Sequence, residues 1–481
     1  MKAAFRRLTP YLWELPKRAR GDMRVPARIY ADQEILDAAF EDRSAEQLIN
    51  TTTLPGIVGY ALAMPDIHQG YGFPIGGVAA TRLPSGVISP GGVGYDINCG
   101  VRLLTSRLTE SQIRPYLEQL MAALFQDVPA GVGRGHAAAL GTRQLDQVLI
   151  KGASWAVSQG YGSPEDLAHT EELGTMGGAD PAAVSERAKS RARDQLGSLG
   201  SGNHFLEVDV VDQVYDPAVA ERFGLAEGTI CIWIHSGSRA LGHQVCTDAV
   251  RELQAAAKRY GIQLPDRELA CAPFDSPEGQ RYFAAMASAA NFAWANRQMM
   301  THLARQACER ILAGKVGDCR LRLLYDVAHN IAKIEEHTVE GQRLKLCVHR
   351  KGATRAFGPG HPAVPEAYRD LGQPVLIPGS MGSASYVLVG TEQAMQESFG
   401  STCHGAGRVL SRHAARRQTS GQELQQEMRR EGIVVRAESL SDLAEEAPTA
   451  YKDIDRVVEI VHQAGLARKV ARTRPIGVMK G

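Results

Sequence analysis

Five short segments of this chain couple loop-forming, often glycine-rich backbone to side chains that bind metal ions or handle phosphate. They are Tyr95-Asp96-Ile97-Asn98-Cys99-Gly100, Ser201-Gly202-Asn203-His204-Phe205, Trp233-Ile234-His235-Ser236-Gly237-Ser238-Arg239, Asp326-Val327-Ala328-His329-Asn330 and Thr402-Cys403-His404-Gly405-Ala406-Gly407-Arg408. Glycine lets the backbone approach a ligand closely, and loops at strand ends are where such contacts are made. Taken alone, a histidine in such a turn is ordinarily a hydrogen-bonded structural residue. The recurrence of the pattern in one chain favours a shared site. Asp96, Cys99, His204, His235 and His329 together offer hard oxygen, imidazole and thiolate, a mixture suited to borderline first-row divalent ions, and a lone thiolate can bridge two of them. Zinc competes for the same donors. Cys99 has two other readings, a small buried hydrophobe and a covalent nucleophile beside a histidine.

His404 stands apart because a flexible Gly-Ala-Gly backbone follows it and a cation, Arg408, lies four residues on. Such a loop offers N–H groups to phosphate oxygens while Arg408 or Arg412 neutralises charge. A neutral imidazole there is a competent nucleotidyl acceptor. No GxxxxGK[ST] phosphate loop occurs, so a nucleotide needs another cradle. Pro378-Gly379-Ser380-Met381-Gly382-Ser383-Ala384-Ser385 supplies hydroxyls and backbone donors for one, and a solvated turn is its ordinary alternative.

These groups need a scaffold. Apolar runs at 229–234, 321–325 and 386–389 predict buried strands bounded by Gly, Pro and Ser. Ser276 as N-cap and Pro277 at the first helical position predict a helix from Pro277 to about Leu312, with Phe283, Met286, Ala290, Ala293 and Met300 inward and a structural role. Segments 159–201 and 418–448 read as exposed connectors. The chemically suggestive motifs spread from residue 65 to residue 408, which predicts one α+β unit over residues 1–481 rather than separable modules. Charge is balanced, with 54 Lys+Arg against 53 Asp+Glu, so a polyanion must be held by local basic groups and metal. Eight scattered cysteines without a CxxC pair argue against a disulfide framework. No run approaches the ~20 apolar residues of a membrane span and the N-terminus lacks a signal-peptide core, so a cytoplasmic location is expected.

Longer stretches carry a resemblance. MPDIHQGYGFPIGGVA (Met64–Ala79), GGVGYDINCGVRLL (Gly91–Leu104), QLGSLGSGNHFLEV (Gln195–Val208), IHSGSRALGHQV (Ile234–Val245), YDVAHNIAKIEEH (Tyr325–His337), HRKGATRAFGPGHP (His349–Pro362), LIPGSMGSASYVLVG (Leu376–Gly390), HGAGRVLSR (His404–Arg412) and the terminal Gly-Val-Met-Lys-Gly together resemble the RtcB family of RNA ligases across essentially the whole chain. The resemblance implies an α+β fold of mixed sheets and two Mn²⁺ ions bridged by Cys99, with Asp96 and His204 completing one site and His235 and His329 the other. It implies that His404 takes GMP from GTP. Asn203, His204, Phe205, Leu206, Glu207, His329, Asn330, Pro378, Gly379, Ser380, Met381, Ser385, Gly405, Ala406, Gly407, Tyr451 and Lys480 then form the guanylate pocket, with Glu207 reading the guanine edge. Arg239, Arg408 and Arg412 are left for RNA or triphosphate. His68 and His243 lie in matching motifs but are not expected as direct ligands. Cys403 departs from the family pattern, adding a thiol next to the nucleophile.

The activity implied is the joining of RNA 3′-phosphate or 2′,3′-cyclic phosphate ends to 5′-hydroxyl ends in tRNA splicing or RNA repair. The small protein archease is implied as an activating partner, and a monomer is expected. A dinuclear phosphoesterase and a non-catalytic RNA-binding scaffold are the rivals; GTP dependence separates the first from a ligase, and turnover separates the second.

Overall fold

A computed structural model describes residues 1–131, 133, 135 and 139–481. Helices and strands combine in an α+β fold built around two large mixed sheets. The first sheet has the order Arg6–Thr9, Leu12–Leu15, Ala27–Tyr30, Ile57–His68, Ile75–Arg82, Gln342–Lys351, Asn330–Val339. Its last two strands form a hairpin whose turn residues Glu340 and Gly341 both take positive φ, the twist-matched solution for a tight connection. The second sheet runs Arg322–Ala328, Gly100–Thr109, Thr229–Ser236, Phe205–Val214, Ala467–Lys480, Ser385–Gly390, Pro374–Ile377. Neighbours are antiparallel except where Ala27–Tyr30 meets Ile57–His68 and where Val434–Ala437 runs beside the C-terminal strand.

The predicted runs 229–234 and 386–389 lie within strands Thr229–Ser236 and Ser385–Gly390, and the run at 321–325 falls on Arg322–Ala328, which begins one residue later. One residue, His329, separates Arg322–Ala328 in the second sheet from Asn330–Val339 in the first. The chain therefore passes between sheets at a predicted ligand.

The long helix spans Pro277–Leu312, with the Ser276 side chain accepting from the Gly279 N–H. Phe283, Met286, Ala290, Ala293 and Met300 are all buried. Its role exceeds packing, because its polar residues hold the loops of the site. Asn296 accepts from the N–H groups of Gly197 and Ser198 and donates to the Ser198 and Gly237 carbonyls. Arg297 is clamped by both Asp326 oxygens at 2.7 and 2.8 Å and donates to the carbonyls of Asn98 (2.8 Å) and Ser236 (2.9 Å), the neighbours of Cys99 and His235. The Arg297–Asp326 pair is fully buried, and the equally buried Arg102 shares the same carboxylate at 2.8 Å; losing Asp326 would leave two buried guanidinium groups uncompensated, a cost of about 3–5 kcal/mol or more.

The two expected connectors are not connectors. In 159–201, Asp166 is buried and receives Arg305 on both oxygens at 2.7 Å as well as Gln298, tying the segment to the long helix. In 418–448, helices Gly421–Arg430 and Leu440–Glu445 flank Val434–Ala437, and Leu424, Met428, Ile433, Val435, Leu443 and Ala447 form an apolar cluster with Met381 and Val478. Polar composition concealed both, because long-range ion pairs and a few well-placed apolar residues do the docking.

Candidate active site and metal centre

The strand framework brings Asp96, Cys99, His204, His235 and His329 together in two groups that share Cys99: Asp96 with His204, and His235 with His329. His204 immediately precedes strand Phe205–Val214, and its sheet neighbour Thr229–Ser236 carries His235 opposite Phe205 in register. Asp96 and Cys99 sit in the turn before Gly100–Thr109, where Gly100 passes so close to the Val327 carbonyl that a Cβ would collide with it. The His329 N–H donates to the Cys99 carbonyl at 2.9 Å, locking the inter-sheet crossing to the same turn.

Cys99 Sγ lies 3.4 Å from His204 Nε2 and 3.2 Å from His235 Nε2, and the Nε2 atoms of His235 and His329 are 3.4 Å apart. His204 Nδ1 donates to the Leu199 carbonyl at 2.9 Å, which orients the ring so that its Nε2 faces an Asp96 oxygen at 2.8 Å. Imidazole nitrogens, a sulfur and a carboxylate oxygen converging at these distances make the donor set of a metal pair, so the residues fit one. Burial and the charge of neighbouring histidines hold His235 and His329 well below the ordinary imidazole range, keeping both neutral as ligation requires. Burial, reinforced by Asp96, pushes the Cys99 thiol well above its ordinary value. Such a thiol is a poor free nucleophile, whereas a coordinated cation removes its proton outright.

His404 follows the short strand Ser401–Cys403, which pairs with Ala353–Arg355. Its ring meets that of His329 edge to face, centroids 4.9 Å apart. Asp66, which sequence reasoning did not single out, organises it. The buried Asp66 Oδ2 accepts from His404 Nδ1 at 2.5 Å, the His404 N–H at 2.9 Å and the Gly405 N–H at 3.3 Å. Gly407, at φ +77°, passes so close to the Asp66 backbone that a Cβ would clash. Burial raises the Asp66 carboxyl, but His404, its N–H and Lys452 more than offset this and leave it below the usual value. With Nδ1 donating to a carboxylate, His404 Nε2 carries the lone pair. The signal lies in the stretch Met64–Ala79, whose one aspartate is Asp66.

A cavity of about 310 Å³ opens beside His404, within the size range of small-molecule sites. Asn203, Phe205, His329, Asn330, Pro378 to Met381, Gly405 to Gly407, Tyr451 and Lys480 line it, as do Arg408 and Arg412. Ser385 lies beneath, its Oγ accepting from the Gly379 N–H at 3.0 Å and so shaping the glycine–serine loop. Leu206 turns into the apolar core. Glu207 is buried with one oxygen unpartnered, and burial with Asp209 nearby raises its carboxyl well above the usual value. Asn330 donates to the Asp96 carbonyl and accepts from the Gly352 N–H. Arg408 is held by Glu446 and the Tyr451 hydroxyl, which itself bonds Glu446. Glu446 was hidden in the segment misread as a connector. Arg412 is more exposed, while Arg239 lies beside Ser198 near the metal ligands rather than in the cavity lining. Lys351, also unanticipated, lines the cavity with its ammonium on the Tyr71 and Phe73 carbonyls; burial lowers it to about 8.

His68 lines the cavity with Nδ1 on the Asp66 carbonyl at 2.8 Å, and His243 stacks on Tyr95; neither belongs to the ligand groups among the described residues. Cys403 is packed in the apolar cluster around Met64 and Ala353, where burial and then Asp66 raise its thiol.

A family profile described as tRNA-splicing ligase RtcB matches residues 47–481. Proteins named tRNA-splicing ligase RtcB are similar over nearly the whole length. The one from Thermococcus kodakarensis is 57% identical over 99% of this chain and 98% of its own. That from Archaeoglobus fulgidus is 55% identical over all of both chains. That from Pyrobaculum aerophilum is 52% identical over 99% of each.

Proposed function

The chain belongs to the RtcB family, and on that premise we propose that it is a GTP-dependent RNA ligase of tRNA splicing or RNA repair, joining 3′-phosphate or 2′,3′-cyclic phosphate ends to 5′-hydroxyl ends through a guanylylated His404. The observation that carries this reading is the Asp66–His404 clamp at the edge of the Cys99-centred ligand groups. The clamp turns His404 Nε2 toward a nucleotide-sized cavity, the placement a nucleotidyl acceptor needs; a phosphoesterase would use the same imidazole as a general base, and GTP labelling separates the two. Asp96, Cys99 and His204 would hold one Mn²⁺, and Cys99, His235 and His329 a second. Bound there, the ions supply charge neutralisation and orientation for phosphate groups.

His404 Nε2 attacks the α-phosphorus of GTP; the N–P bond forms as the bond to the pyrophosphate oxygen breaks. Asp66 keeps the proton on Nδ1 and stabilises the positive charge that develops on the ring. The glycine–serine loop, Lys480, Tyr451 and the backbone after His404 seat the nucleotide, with the buried Glu207 carboxyl behind Phe205 as the group to read guanine. An oxygen of the RNA 3′-phosphate then takes GMP, freeing Nε2. The 5′-hydroxyl oxygen attacks the activated 3′-phosphate, expelling GMP and losing its proton to solvent. A cyclic phosphate must first be opened by water. Arg408 and Arg412 face the phosphates of these substrates.

GTP labelled at the α-phosphate, given with Mn²⁺, should leave acid-labile, base-stable label on the protein. His404→Ala should carry none, and label persisting on that variant overturns the nucleophile. Cys99→Ala should lose bound metal together with labelling; two metals retained per chain would remove the bridging role.

A further inference from the structure

If the chain joins RNA, it must hold unpaired termini as well as a nucleotide, and a group of rings at the cavity mouth is left unused by the chemistry above. Tyr95, next to Asp96, lies stacked on His243 with centroids 4.9 Å apart and planes at 29°. Tyr71 meets Tyr95 edge to face at 5.6 Å and 66°. These rings come from three places: the loop between Ile57–His68 and Ile75–Arg82, the ligand turn, and the start of helix Arg239–Arg259. Tyr71 and Tyr95 line the cavity and are part-exposed, and His243 is exposed outside it. Neither tyrosine contributes to any apolar cluster of the core among the described residues. A ladder of rings running from a reaction cavity to solvent, packed on one another and outside the apolar clusters, is the form of a stacking platform for single-stranded nucleic acid. Cations flank it. The exposed Arg191 donates to the side chain of Gln244, next to His243, at 3.0 Å, and Arg239, at the start of the same helix, donates to Ser198.

We propose that Tyr71, Tyr95 and His243 form a shelf on which an unpaired nucleobase of the RNA end stacks beside the metal centre, with Arg191 facing its backbone phosphate. This rests on the ligase reading and adds to it where the RNA lies. Because every base presents a π face, the shelf is tolerant of sequence. It constrains strandedness, since a terminal base held in a duplex cannot reach it.

His243 tests the shelf best, being outside both the cavity lining and the ligand groups. Binding of a 3′-phosphorylated and, separately, a 5′-hydroxyl oligoribonucleotide would be followed by fluorescence anisotropy, alongside GTP labelling of the same preparations. His243→Ala should weaken one oligonucleotide roughly tenfold, the loss expected of one stacked base, with labelling within twofold of wild type. His243→Tyr should bind like wild type. Replacing the terminal nucleotide of the weakened oligonucleotide with an abasic residue should lower wild-type affinity equally and abolish the difference between wild type and His243→Ala, which identifies the end that is held. Unchanged affinity of His243→Ala for both oligonucleotides overturns the shelf, as does His243→Tyr binding no better than His243→Ala. Absence of label on the wild type would instead sink the guanylylation reading, and the affinities would still judge the shelf.

Discussion

Asp66 makes His404 more than an exposed imidazole. One buried carboxylate oxygen accepts from the ring and from two successive backbone N–H groups, so ring orientation, tautomer and loop conformation depend on a single atom. Asp66→Asn keeps the shape but exchanges a charged acceptor for an amide that can turn its NH₂ toward Nδ1 and place the proton on Nε2. Guanylylation should slow by on the order of 10²-fold or more, as when a carboxylate that sets a histidine tautomer is neutralised, with metal content unchanged. Single-turnover labelling and metal analysis of the same sample read the two effects separately. Labelling at the wild-type rate would show that Asp66 supports the loop alone.

Elements far from the ligands shape the nucleotide cavity. Met381 belongs both to the glycine–serine loop and to the apolar cluster made by helices Gly421–Arg430 and Leu440–Glu445. Leu424, buried in that cluster, is not itself part of the cavity lining. Leu424→Ala removes buried methyl groups and leaves a void, a change worth about 2–5 kcal/mol. The cost falls on a small satellite cluster, so its expected result is a looser Met381 loop: the GTP concentration for half-maximal labelling rises severalfold while the rate at saturating GTP holds. A lowered saturating rate with unchanged GTP dependence would place the effect elsewhere.

For the whole molecule, the ligand groups join the two sheets. His329 is the single residue between a strand of each, and Asp96, Cys99, His204 and His235 belong to turns and strands of the second. Metal bound there stabilises the fold by mass action, about 2.7 kcal/mol at a hundredfold excess over Kd. Chelation should therefore lower the unfolding temperature by a few degrees, and Cys99→Ala should start from the lower temperature and respond little to chelator. Equal sensitivity of both proteins would mean that the stabilising ions bind elsewhere.

Local chemistry was legible from the sequence alone. The Ser276 cap with Pro277 marked the long helix, apolar runs marked three strands, and the ligand types with His404 marked the chemistry, because each signal lies within a few residues. What the tertiary structure decided is which groups meet. Asp66 and His404 are 338 residues apart, Arg297 reaches the Asn98 carbonyl from 199 residues away, and Cys99 is shared between ligand groups by virtue of strand register. Glu446 and Asp166 stayed hidden inside polar segments because their partners are distant arginines. Periodicity and capping report a residue's neighbours along the chain, whereas a site depends on neighbours across sheets, and those are set by packing that no local pattern encodes.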